Sequence, residues 1–171
     1  MIFEFGDYTL DIDVEKTRAF YDAAPTNDCD CDGCVNYRMA ADSFPAEVKE
    51  FFEALGADPK KAAELMVWAA EDGGRSLWYG GFYHLCGKIL SEKDCKKPAE
   101  NDLTHIESRA FFRIAGGYSA GFTSDTDLIE DGFPAPAVQM ETDFHCVPWV
   151  RECENPYADH PKSLLKKIFG K

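Results

Sequence analysis

The sequence predicts an α+β fold: an N-terminal hairpin and two to three helices packed on a mainly antiparallel β-sheet. Three observations carry that expectation. Residues 8–13, YTLDID, alternate apolar and polar side chains with the two-residue period of a half-buried strand. Val48, Phe51, Phe52 and Leu55 recur at i, i+3, i+4 and i+7, which lines one face of a helix. Strand periods then return in the second half of the chain, and helices early with strands late build segregated layers.

The elements follow in order. IFEF and YTLDID flank Gly6-Asp7, a dipeptide suited to a hairpin turn. Asp13 is placed to cap a helix through VEKTRAFYDAA, which must stop before Pro25. An acidic cysteine loop follows, then a short helix in VNYRMAADSF. PAEVKEFFEALG has proline near its first turn and Gly56 just past its end, the usual helix punctuation. Asp72-Gly73-Gly74 joins two strands, the second rich in aromatics. Residues 91–104 are polar and lysine-rich and read as a surface loop. HIESRAFFRIA alternates as a strand, Gly116-Gly117 turns it into YSAGFT, and AVQMETDFHCVPWV reads as one long strand. In that last strand Val138, Met140, Thr142, Phe144 and Cys146 share the inward face, while Gln139, Glu141, Asp143 and His145 line the polar one. All of this fits one globular domain over 1–171, with 160–171 a short basic helix or tail.

Composition excludes more than it selects. A net charge of −13 opposes the counterion displacement on which nucleic-acid binding depends, and it disfavours anionic membranes. The start, MIFEFGDYTL, lacks the basic region and apolar run of a signal peptide, and no stretch reaches the roughly 20 apolar residues of a membrane span. The expected location is the cytoplasm. The expected partner is a protein or a small molecule, with no nucleic acid and no membrane. Seven cysteines cannot all pair internally, and a reducing cytosol points to free thiols or metal ligands.

Three of them, Cys29, Cys31 and Cys34, form the motif C-x-C-x-x-C with Gly33 at the turn. Thiolates so close in sequence can wrap a tetrahedral cation such as zinc, and three leave one coordination position for a fourth ligand or for water. Packed thiols without metal, and redox chemistry, are the competing readings. Asp28, Asp30 and Asp32 argue against redox, because like charge raises thiol pKa values. The fourth ligand is sought in YHLC, where His84 and Cys86 share one strand face with Trp78 and Phe82. His145 and Cys146 point to opposite faces, the first to the surface and the second to the core. Trp78, Tyr79, Phe82 and Tyr83 form an aromatic cluster that could line a ligand groove or pack in the core. No nucleophile elbow, P-loop or dinucleotide pattern occurs, and the carboxylates of DTDLIED lack EF-hand spacing.

The run CDCDGCVNYR, followed by FPAEVKEFFEALGADP, WYGGFYHLCGKI and VPWV, resembles a family of small uncharacterised bacterial proteins with a C-x-C-x-x-C-x-N loop. The resemblance implies a cytosolic bacterial setting and brings no activity, substrate or catalytic residue. The resulting expectation is a non-catalytic binding or interaction domain with a zinc staple at the cysteine loop. The alternative is a metal-dependent hydrolase or thiol oxidoreductase using Cys29, Cys31 and Cys34.

Overall fold

A computed structural model describes residues 1–26, 29–91, 96–98, 104–106 and 110–158. Strands β1 (Ile2–Phe5) and β2 (Tyr8–Ile12) form the expected hairpin, with Gly6 at φ 57° in its turn. Helix α1 (Val14–Ala23) starts where Asp13 accepts a hydrogen bond from the Lys16 amide, and it ends two residues before Pro25. Helices α2 (Asp32–Ala40) and α3 (Ala46–Leu55) follow, and α3 buries Val48, Phe51, Phe52 and Leu55 as its sequence period requires. Gly56 ends α3 in the left-handed region at φ 74°. The remaining strands are β3 (Glu64–Glu71), β4 (Ser76–Ile89), β5 (Lys96–Pro98), β6 (Thr104–Ile106), β7 (Phe112–Ala115), β8 (Tyr118–Thr123) and β9 (Ala137–Pro148).

The main sheet runs β1-β2-β4-β9-β8-β7, with β3 also paired to β4, and each of these pairings is antiparallel. The fold is therefore α+β with an N-terminal hairpin. Two expectations need correction. The lysine-rich stretch holds a short antiparallel pair, β5 with β6, rather than loop alone. The alternation in HIESRAFFRIA does not make one strand: Thr104–Ile106 pairs with β5, and β7 begins only at Phe112. The basic segment 160–171 lies outside the described residues.

The core is an aromatic layer between the helices and one face of the sheet. Tyr37 of α2 and Phe52 of α3 meet Tyr79, Tyr83 and Phe144, with ring centroids 4.9 to 6.4 Å apart. Burying a phenylalanine such as Phe52 or Phe144 contributes about 2–3 kcal/mol. The hydroxyls are satisfied in series: Tyr37 donates to Tyr83 (2.8 Å), which donates to the Pro59 carbonyl (2.8 Å).

β4 is the central strand and is covered on both faces, so its side chains show no in-out alternation. For this reason Trp78, Tyr79, Phe82 and Tyr83 do not share a ligand surface. Tyr79 and Tyr83 are core residues facing the helices, Phe82 is buried on the opposite face, and Trp78 alone is partly exposed. Cys146 also departs from expectation. It adopts φ 56°, and this left-handed residue resets the strand so that Val147 takes the buried place and Cys146 is exposed.

Candidate metal centre

The cysteine motif is half loop and half helix. α2 begins inside it, with Cys31 as N-cap in extended conformation and Cys34 in the first turn. The Cys31 sulfur accepts the Cys34 amide at 3.5 Å, so it satisfies one of the amide donors that a helix start leaves free. Cys34 points inward and is buried, Cys31 is exposed, and Cys29 is half-buried. The Arg38 guanidinium donates to the Cys29 carbonyl at 2.7 Å, which folds the preceding loop back onto the helix. Gly33 is required by close approach: a Cβ there would stand 2.7 Å from Val67 and 3.0 Å from the Tyr157 hydroxyl.

This geometry brings the three sulfurs within 4.8 Å of one another. Zinc bound tetrahedrally at about 2.3 Å sets sulfur–sulfur separations of about 3.8 Å. A contraction of at most about 1 Å would therefore close the three ligands around an ion. The cluster could hold a metal ion, and it is the one such group of three or more His, Cys, Asp or Glu among the described residues.

The rest of the molecule holds the start of α2 firmly. Tyr79 donates to the Gly33 carbonyl at 2.9 Å. Asn36 is fully buried; its amide donates to the Tyr79 hydroxyl (3.2 Å) and the Pro148 carbonyl (3.1 Å), and its oxygen accepts the Val150 amide (2.8 Å). Arg151 pairs with Asp32 and lies 5.9 Å from the Trp149 ring centroid. Sequence reading missed Asn36, Arg151 and Tyr157 as supports. Asn36 lies two residues beyond the motif, whereas the other two come from more than a hundred residues away and leave no local signal.

Asp30 acts on Cys29 in the expected direction, raising its thiol pKa, but hydrogen bonds outweigh it. Asp28 lies outside the described residues, and Asp32 is neutralised by Arg151. The Cys29 thiol is lowered, first by the Cys31 amide and then by the Cys31 and Cys34 thiols; the opposing effect of Asp30 is smaller. Cys34 is pushed up to about 12, chiefly by burial and then by hydrogen bonding to its two neighbours. A bound cation would displace the protons of such a set, which ties affinity to pH.

No family model, curated protein or solved structure matches this chain. Among the described residues, no helix is long and apolar enough to cross a membrane.

His84 and Cys86 are not the missing fourth ligand. At about 3.3 Å per residue, His84 stands roughly 16 Å along β4 from Tyr79, the residue that touches Gly33. The His84 Nε2–H donates to the Asp127 carbonyl at 3.0 Å and lies 3.3 Å from Gln139 Oε1, so the ring is spoken for. Burial lowers its pKa, against the raising effect of those two contacts. Cys86 is buried two residues further on, and its amide donates to Thr17 Oγ1 at 2.9 Å. His145 is a surface residue as expected, and it is bound to Glu71 at 2.8 Å.

Proposed function

We propose that Cys29, Cys31 and Cys34 form a zinc-binding staple in a cytoplasmic, non-catalytic interaction domain. The observation that carries this reading is the convergence of three sulfurs on one point at a pinned helix start. Zinc takes thiolate ligands readily, and a staple here would tie the loop after α1 to α2. The expected result for protein purified without chelator is one zinc per chain. Cys29, Cys31 and Cys34 should then resist a thiol reagent until chelator is added. Metal-free protein that releases no further thiols on chelation overturns the proposal.

One observation favours a second reading, dithiol–disulfide exchange. Cys31 is exposed at a helix N-cap with Cys34 buried one turn on, an arrangement that suits an attacking and a resolving thiol. The Cys31 thiolate would attack a substrate disulfide and release one thiolate. Cys34, losing its proton, would then displace the second, leaving a Cys31–Cys34 disulfide and a substrate dithiol. A Cys34→Ser variant would trap the mixed disulfide, detectable by mass. The third thiol, which two-electron exchange does not need, favours the metal.

A further inference from the structure

The face of the sheet turned away from the helices carries a second cluster, far simpler in composition and unconnected with the thiols. Trp68 of β3 is 54 % exposed. Its indole lies against Gly80 so closely that a Cβ there would stand 2.4 Å from Nε1. Trp78 of β4 lies next to it, with ring centroids 6.3 Å apart. His145 of β9 stacks on Trp78 at 4.6 Å and an interplanar angle of 18°. The result is a row of three rings crossing three adjacent strands.

Two carboxylates fix the row. Glu71 accepts the His145 Nδ1–H at 2.8 Å and the Cys146 amide at 2.6 Å, which sets the orientation of the imidazole. Asp143 accepts the Trp78 Nε1–H at 2.5 Å and lies 3.7 Å from His145 Nε2. The polar edges of Trp78 and His145 are thus tied down, while Trp68 is half-exposed to solvent. Arg75, in the β3–β4 turn, donates to the Asp72 carbonyl. Arg113 is placed by register across Ser119 from Asp143, two strands away and about 10 Å off.

We infer that this face binds an arginine side chain presented by a basic protein partner. The occupant follows from charge and shape together. A guanidinium stacks on an indole, is attracted by its π face, and uses its remaining donors on carboxylate oxygens. The chain as a whole carries −13, so a basic partner is also drawn to it from a distance. Trp78 and His145, held by Asp143 and Glu71, need little ordering on binding, which favours affinity.

The test is a titration of the full chain with a hexa-arginine peptide in 0.15 M salt, where diffuse attraction is screened beyond about 8 Å. The readout is the indole N–H resonances, assigned with tryptophan-to-phenylalanine variants. Saturable shifts at Trp68 and Trp78 are expected, with Trp149 unmoved. Trp68→Ala should weaken binding about five-fold, the size of one cation–π contact. Glu47→Gln, an exposed acid on α3, should leave it unchanged. Equal weakening by both variants would show diffuse charge attraction and overturn the inference. So would shifts produced by a neutral oligosaccharide but not by the peptide. A Lys162→Glu/Lys166→Glu/Lys167→Glu variant that moves the Trp68 resonance with no peptide present would give the site to the chain's own basic end instead.

Discussion

The start of α2 and the end of β4 both carry groups able to bind a metal, and of these two only the first gathers them. At the start of α2, three thiols within six positions of sequence converge within 4.8 Å. Toward the end of β4, His84 and Cys86 share a strand face yet serve the fold: the ring bonds the Asp127 carbonyl, and the thiol is buried beside the start of α1. The difference lies in backbone geometry. A helix cap turns neighbouring residues toward one point, whereas a strand spaces same-face residues nearly 7 Å apart and leaves each to its own surroundings. Sequence proximity makes a site only where the backbone curls.

The largest expected effect separates the two regions directly. Zinc at a thousand-fold excess over its dissociation constant should raise unfolding stability by about 4 kcal/mol. Cys34→Ser should abolish that increment and His84→Gln should preserve it, as read from denaturant melts with and without the ion.

Next comes the support of the helix start. Asn36→Ala removes a buried amide that satisfies Tyr79, Pro148 and Val150. It should cost about 3 kcal/mol in a urea titration, because partners are left unpaired. It should also weaken metal binding, which no change around His84 should do.

A smaller effect marks the β4 region. Burial lowers the pKa of His84 in the folded chain, so the neutral ring is favoured there and the unfolded chain binds more protons. The stability this contributes is complete above the ordinary histidine value of 6.5 and is lost as pH falls below it. His84→Gln should flatten that part of the pH–stability profile measured by thermal melting. Glu71 works in the same direction at lower pH. Burial raises its pKa, but His145 and the Cys146 amide outweigh burial and hold it below the usual carboxylate value. Its contribution is therefore lost as pH falls through that depressed value.

The smallest effect belongs to Trp68→Ala, which removes an exposed ring and should change stability by about 0.5 kcal/mol or less.

Much of the fold was legible because local rules and tertiary structure agree. Asp13 caps α1, the Val48–Leu55 stripe is the buried face of α3, and Gly6 and Gly116 stand in hairpin turns. The cysteine spacing likewise marked the cluster. The start of α2 was hidden because an acidic, cysteine-rich run reads as loop, and Cys31 is an unusual cap whose neighbour Asp32 is steadied by a distant arginine. Alternation failed in β4 because both of its faces are covered. It failed in β9 because one left-handed residue, Cys146, shifts the parity that placed Cys146 in the core. Register shifts between Val67 and Ala69 and between Leu77 and Tyr79 similarly obscured which face Trp68 would take.

Cobalt titration of the reduced chain tests the central claim most directly, because cobalt reports its ligands through sulfur-to-metal charge-transfer absorption. One equivalent per chain with a tetrahedral spectrum is expected, retained in His84→Gln and Cys86→Ser and lost in Cys34→Ser. A chain that binds no cobalt, or binds it equally well as Cys34→Ser, would contradict the assignment of Cys29, Cys31 and Cys34 as a metal centre.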